Sequence, residues 1–446
     1  MYTSIYSLYF FGRRVIIYMF ALNGHNHEGE IFMAMSMAAT HARGKKLNDA
    51  IFTASGAAKK AIAEYGIEKV TDATIGSMMD DNGKIACIPA MEKVYRSLPM
   101  SDIISYAPIS GLPAYLETVI DLVFCDQKPD GYTAAVATAG GTGAIHHAIA
   151  NYAEKGNAIL TGDWYWGTYG VIANEMGCRL ETYKLFNDKG GFNLDAFVHK
   201  ASELLAKQDS LLFIINSPAH NPTGFALSGD EWDGVIAFAK EKADEGKKIT
   251  IVVDIAYIDY AGEKNEVRSF MRKFGGLSHN ILTLFSFSMS KGYTMYGQRT
   301  GALVALSACK GVIEEFNQIM KYSSRAAWSN INRGAMTLLT EMSKDKTVYA
   351  QFEKERDALY QMIRGRAKVF MDEAEACGLK AVPYKAGFFL SVPTDDPSAV
   401  CDKLHDDLIF AVPLKLGVRI AACSVPSAKM HGVAGKVKAA MDAIKA

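Results

Sequence analysis

The sequence predicts an α/β protein, with a large domain in which a mostly parallel seven-stranded sheet lies between helices and a smaller α+β domain beside it. Three observations predict this. Seven short apolar runs alternate with amphipathic stretches between about residues 130 and 307, the pattern of a parallel sheet covered on both faces. The alternation stops near residue 340, where a long charged helical pattern takes over. A lysine, Lys291, stands just past one apolar run, at the carboxyl end of a strand where open α/β sheets bind ligands.

The elements follow in chain order. A helical period over residues 49–64 and the turn Asp80-Asp-Asn-Gly83 precede the alternating region. Residues 133–138, 158–161, 179–184, 211–216, 250–254, 281–286 and 301–306 read as strands. Helix-period segments at 144–154, 194–206 and 229–242 lie between them. Beyond residue 340 the sequence predicts a helix over 351–376, strands near 379–382 and 388–392, and a closing helix with Val437, Met441 and Ile444 on one face. The expected organisation is an extension over residues 1–22, an arm and part of the small domain over 23–87, a large cofactor-binding domain over 88–345 and a small domain over 346–446.

Composition narrows the function. The chain has 446 residues, 48 basic and 48 acidic, so it lacks the concentrated positive charge of a general nucleic-acid binder. Its seven cysteines are scattered, without a Cys-x-x-Cys pair or a His/Cys cluster, which points to reduced thiols, a cytoplasmic protein and no metal site. The apolar runs in residues 1–22 are split by Arg13-Arg14, and neither reaches the roughly 20 residues that cross a bilayer. They are expected to lie upstream of a start at Met19 or to form an arm that packs on a partner subunit.

Four motifs carry chemistry. Ser286-Phe-Ser-Met-Ser-Lys291, with Arg299 eight residues on, supplies an amine suited to a Schiff base, and Ser288 and Arg299 suited to the phosphate of an aldehyde cofactor. Thr138-Ala-Gly-Gly-Thr-Gly143 follows a strand and opens a helix, so its amides can cradle that phosphate. Asn216-Ser-Pro-Ala-His-Asn-Pro-Thr-Gly224 fixes an irregular loop after another strand and sets Asn221 to face a cofactor oxygen. In Val252-Val-Asp-Ile-Ala-Tyr257, Asp254 ends an apolar strand, where a carboxylate needs a partner such as a pyridinium nitrogen, and Tyr257 can donate to the ring's phenolic oxygen.

In this order and spacing, from about residue 49 to the C-terminus, the chain resembles the pyridoxal-phosphate-dependent aminotransferases of fold type I, in the aspartate/aromatic group. The resemblance implies pyridoxal 5′-phosphate as cofactor, held covalently by Lys291. Asp254 would pair with the ring nitrogen, Tyr257 and Asn221 with the ring's oxygen. Gly141, Thr142, Ser288 and Arg299 would bind the phosphate. Trp166 would stack on the ring, with Trp164 the competing candidate. Arg419, in Leu416-Gly-Val-Arg-Ile420, would clamp the substrate α-carboxylate, and Gly76 would contact the same substrate.

Tyr106 matches a tyrosine that reaches the neighbouring subunit's phosphate, and Arg325 matches an arginine that crosses the dimer to a distal carboxylate. A homodimer with shared sites is therefore implied, acting on an acidic or aromatic amino acid and a 2-oxo acid, with no nucleic-acid or membrane partner. The chain departs from the group at Gly140, where relatives often carry serine, at Tyr169, where many have histidine, and at Ile331-Asn332, in place of two prolines. A β-lyase or decarboxylase on the same scaffold is the alternative reaction. An aminotransferase-like regulator would need a DNA-binding module that the residues before Asp49 are too few to supply.

Overall fold

The computed structural model describes residues 6–11, 14–19, 37–47 and 49–445. The chain divides into two units, Met1–Asp49 and Ala50–Ala446. In the first, Tyr6–Phe11 pairs antiparallel with Arg14–Met19, and Thr40–Ala42 forms a 3-10 turn. The remainder of the expected extension and much of the expected arm, residues 20–36, lie outside the described residues.

The second unit is built on the seven-stranded sheet. Its spatial order is Tyr132–Ala139, Thr300–Ser307, Ile281–Ser288, Lys248–Asp254, Ser210–Asn216, Ala158–Gly162 and Arg179–Tyr183. The last five are mutually parallel, and Thr300–Ser307 runs antiparallel to both of its neighbours. The strands are continuous apolar runs because both faces are covered. Side chains alternate between two cores: Phe213, Ile215, Ile251, Val253 and Phe285 enter one, while Leu212, Ile214, Val252 and Leu284 enter the other.

Capping fixes where several helices begin. Ser228 and Glu231 form a reciprocal capping box at Gly229–Asp244, and Asn193 accepts from the Ala196 N–H at Leu194–Leu205. The long helix begins at Lys346, five residues before the sequence expectation, because the Asp345 carboxylate accepts the N–H groups of Thr347 and Val348. It runs to Ala376 and joins two cores. Phe352 belongs to the sheet core, whereas Ala367, Phe370 and Ala374 belong to a separate core around the three strands Phe389–Pro393, Gly417–Ala421 and Val412–Leu414.

The expected strand near 379–382 is absent. Leu379 and Val382 are buried, and the Val382 N–H does donate to the Ser391 carbonyl, but Pro383 has no N–H with which to extend a ladder. The apolar residues there report burial, not pairing.

Candidate active site

Three parallel strands lie side by side with Asn216, Asp254 and Ser286 in register, the first two residues ending their strands and the third standing two residues before the end of its own, and the loops beyond them enclose a cavity of about 320 Å³. Lys291 lies in the short helix Met289–Gly292 that follows Ile281–Ser288. The Ser288 hydroxyl accepts the Ser290 N–H at 3.2 Å and fixes that turn. From it the Lys291 Nζ reaches the Gly76 carbonyl at 2.5 Å. The rings of Tyr296, Tyr257 and Phe388 stand 5.0, 5.4 and 5.5 Å from the same nitrogen.

This enclosure decides the charge state of the amine. Burial is the main cause that pushes the Lys291 pKa down to about 8, with Cys423 and Asp254 opposing it and Arg419 and Arg299 adding to it. Near neutral pH such an amine gives up its proton far more readily than a surface lysine does. It can act as a nucleophile or as a base.

Asp254 faces the cavity from the strand next to that of Lys291. Its carboxylate accepts the Tyr169 O–H at 2.6 Å and the Ala256 N–H at 3.1 Å. Burial nevertheless raises its pKa above the ordinary range, so a cation seated against it would be strongly favoured. Tyr257 is buried beside it, with its pKa raised by burial. The Asn221 N–H donates to the Asn216 side-chain oxygen at 2.6 Å, and the Asn221 amide oxygen accepts from Arg419 at 3.3 Å.

At one end of the cavity the helix Gly140–Tyr152 presents its N-terminus through Gly141 and Thr142, opposite Ser288. Arg299 approaches this end and donates to Ser290 at 3.3 Å and to Thr142 at 3.4 Å. Gly140 has φ of +68°, and a Cβ there would meet the Arg299 guanidinium at 2.8 Å. A serine at this position is therefore strained and displaces the arginine, which is a steric reason for the glycine. At the other end the buried Arg419 donates to the Thr74 carbonyl at 2.7 Å and stacks over Phe389 at 4.3 Å.

The lining thus carries Lys291, Arg299 and Arg419 against the single carboxylate of Asp254. Two separated anion-binding ends, with an amine and a carboxylate between them, suit a ligand pair that brings a phosphate and a carboxylate together with a ring that can be protonated. A wider groove of about 550 Å³ elsewhere has Glu117, Asp121, Glu353, Lys344 and Lys346 along it, a near balance of charge that selects no ligand class.

The predicted residues Gly76, Gly141, Thr142, Trp166, Asn221, Asp254, Tyr257, Ser288, Lys291, Arg299 and Arg419 all line the one cavity. Trp166 is on its wall, whereas Trp164 is buried in the sheet core. Tyr106 and Arg325 do not line it. Tyr106 is 88% exposed, and Arg325 lies in the exposed last turn of Lys310–Ala327, bonded to Ser329 at 3.1 Å.

Sequence reasoning assigned no role to Asn216, Tyr169, Tyr296, Phe389, Ile51 or Phe52. Asn216, Tyr169 and Tyr296 lay within or beside motifs already singled out, and each makes a bond there: the Tyr296 hydroxyl, for example, accepts the Met78 N–H at 2.7 Å. Ile51, Phe52 and Phe389 reach the cavity from distant helices and strands, and no local signal marked them.

A half-buried lysine whose amine is enclosed by aromatic rings, a buried carboxylate on the same cavity and paired anion ends on this sheet define the class of protein as one built for a phosphorylated aldehyde cofactor and an amine substrate. The family profile described as aminotransferase class I and II matches residues 68–437, and the chain belongs to that family. A mitochondrial aspartate aminotransferase of Dictyostelium discoideum is 25% identical over 289 residues, which are 63% of this chain. The match spans 66% of that relative, just under two thirds of its length. A solved aminotransferase from Anaerococcus prevotii is 38% identical, with a TM-score of 0.89 over 92% of this chain and 100% of its own. An aromatic-amino-acid aminotransferase from Burkholderia pseudomallei, solved covalently bound to pyridoxal phosphate, has a TM-score of 0.72 at 20% identity over 91% of this chain and 100% of its own, a likeness of fold.

Proposed function

We propose that the protein is a pyridoxal-phosphate-dependent aminotransferase that moves the amino group of an acidic or aromatic L-amino acid to a 2-oxo acid such as 2-oxoglutarate. The observation that carries this reading is the Lys291 amine, brought to a pKa of about 8 at the centre of a cavity with a carboxylate on one wall and an anion-binding group at each end. When bound there, the cofactor supplies an aldehyde that condenses with amines and a ring that takes up an electron pair.

The chain's own residues do the rest. The N-terminal turn of Gly140–Tyr152 with Ser288 and Arg299 holds the phosphate, and Asp254 holds the proton on the ring nitrogen. Asn221 and Tyr257 orient the ring's oxygen, while Trp166 packs on its face. Arg419 grips the substrate α-carboxylate in a bidentate manner and Gly76 bounds its other side. That grip brings the substrate Cα to Lys291, whose Nζ would take the Cα proton and pass it to the cofactor's C4′, so that the proton leaves the amino acid for good in that half of the exchange.

Tyr106 and Arg325, exposed and outside their own chain's cavity, are proposed to act in the site of a second copy, Tyr106 at the phosphate and Arg325 at a distal carboxylate. We further propose the division into residues 88–345 and 346–446 with part of 23–87, and a cytoplasmic location, which the scattered free thiols support. Among the described residues no helix is long and apolar enough to cross a membrane.

The test is Lys291→Ala. It should abolish the visible absorbance of the lysine-linked cofactor and reduce turnover to background, and substantial remaining transamination sinks the proposal. Dependence of product formation on an added 2-oxo acid separates transamination from β-elimination or decarboxylation. A half-reaction screen over amino acids then reads the side-chain preference.

A further inference from the structure

The turn that carries Lys291 rests on a charged cluster that no step above uses. Gly292, next in the chain, is buried, and a Cβ placed on it would fall far inside contact distance of an Asp259 carboxylate oxygen. Asp259 in turn lies two residues after Tyr257, in the 3-10 turn Ile258–Tyr260. It accepts from Arg268 at 2.8 Å and faces Arg356 at 3.4 Å, all three side chains being nearly buried. Burial alone would raise the carboxyl pKa, but Arg356 and Arg268, with Lys264 behind them, outweigh it and hold the group ionised.

Arg356 belongs to the long helix Lys346–Ala376, the element that joins the sheet core to the second core. The same helix meets the Lys291 turn a second time. Tyr293 stacks on Phe352 with centroids 4.9 Å apart, and its hydroxyl lies 3.3 Å from that of Tyr349. One carboxylate is therefore in touch with the turn of Tyr257, the turn of Lys291 and the helix that carries the second core.

Building on the assignment of Lys291 above, we infer that Asp259, clamped between Arg268 and Arg356, is a positioning residue that fixes the Lys291 turn against the long helix and thereby sets where the amine stands in the cavity. A carboxylate suits this role for a physical reason. It can accept from guanidiniums on two elements at once while one oxygen packs against a backbone that has no side chain in the way. Gly292 is the complement to that packing, since any other residue would drive the turn and the carboxylate apart.

The experiment compares Asp259→Asn, Gly292→Ala and Arg356→Met with the parent as full-length holoenzymes, with Lys291→Ala as the control. Misplacing a catalytic group by about an ångström costs up to about a hundredfold in rate. Asp259→Asn should therefore lower kcat between about tenfold and a hundredfold, with KM for the amino donor within about twofold of the parent. The pH midpoint of the cofactor's visible band should also move down, because Arg268 and Arg356 are left uncompensated beside the Lys291 turn. Loss of stability alone would move neither the midpoint nor kcat of the folded fraction.

Gly292→Ala and Arg356→Met should show the same fall in kcat, and they carry the test if Asp259→Asn does not accumulate. Parent-like kcat and midpoint in whichever of these variants fold, with Lys291→Ala inactive, overturn the inference and leave the assignment of Lys291 standing. Activity in Lys291→Ala overturns the assignment itself.

Discussion

Tyr169 shows how one side chain can set the chemistry of another. Burial pushes the Asp254 carboxyl toward its neutral form, which could not hold a proton on a ring nitrogen. The 2.6 Å bond from the Tyr169 hydroxyl works in the opposite direction, as does the Ala256 N–H. Burial also raises the Tyr169 pKa well above its ordinary value, so the phenol stays a donor and never competes for the ring's proton. A hydrogen bond to a charged group contributes about 1.5–3 kcal/mol. Tyr169→Phe should accordingly weaken cofactor retention at neutral pH by about tenfold or more. Equilibrium titration of the apoenzyme with pyridoxal phosphate measures this, and unchanged affinity would show that the Ala256 N–H suffices for Asp254.

At the scale of elements, the seven sheet strands were legible because burial on both faces writes continuous apolar runs, and each observed strand lies within two residues of its expected limits at either end. Helix starts were legible at Leu194 and Gly229, where a side chain caps them, and less so at Gly140 and Lys346. Thr138-Ala-Gly-Gly-Thr-Gly143 is expected to open a helix whose period runs over 144–154, and the helix in fact begins four residues earlier, at Gly140, so that the glycines form its first turn with their N–H groups toward the cavity end. The residues after motif strands could be placed from sequence alone, whereas Phe389, Ile51 and Phe52 could not, since they come to the cavity from the strand Phe389–Pro393 and the helix Ala50–Tyr65, both remote in sequence from the motif strands. The clamp at Asp259 was silent for the same reason: its partners are 9 and 97 positions away in sequence.

The helix Gly140–Tyr152 also carries a testable dependence on pH. His147, buried in it, stacks on Trp328 with centroids 4.2 Å apart, and burial lowers its pKa to about 4. His220, in the loop of Asn221, is lowered to about 3 for the same reason and has Thr223 at 2.7 Å from Nδ1. Below pH 6.5 the unfolded chain protonates these histidines while the folded chain does not, so unfolding takes up protons and stability falls as pH falls. The loss amounts to about 1.4 kcal/mol per pH unit for each histidine between the ordinary histidine pKa and its folded value. Denaturant midpoints measured from pH 7 to pH 4.5 should decline, and His147→Gln should flatten the slope. An equal slope in that variant would mean that His220 and carboxylates, not His147, dominate the acid limb.

For the whole molecule, the two proposed site residues that miss the cavity make the strongest demand. Arg325 and Tyr106 are exposed, and Met100, Ile104 and Tyr322 are large apolar side chains exposed near them in sequence. A two-fold dimer that covers these segments would give each site Lys291 from one chain and Arg325 from the other. This has a consequence that no monomer shares. Lys291→Ala and Arg325→Ala should each be inactive toward a dicarboxylic amino acid, one for want of the amine and the other for want of the distal clamp. If the two variants are mixed under conditions that exchange subunits, half of the dimers are hybrids. Each hybrid pairs the intact Lys291 of one chain with the intact Arg325 of the other, so about one site in four of the mixture regains function. Turnover of a dicarboxylic substrate should therefore climb to about a quarter of the parent's per site, while an aromatic substrate, which needs no distal clamp, already turns over in Arg325→Ala alone. Failure of the mixture to recover, with hybrid formation verified by native mass spectrometry, would place Arg325 outside the partner's site and remove the structural case for an acidic side chain.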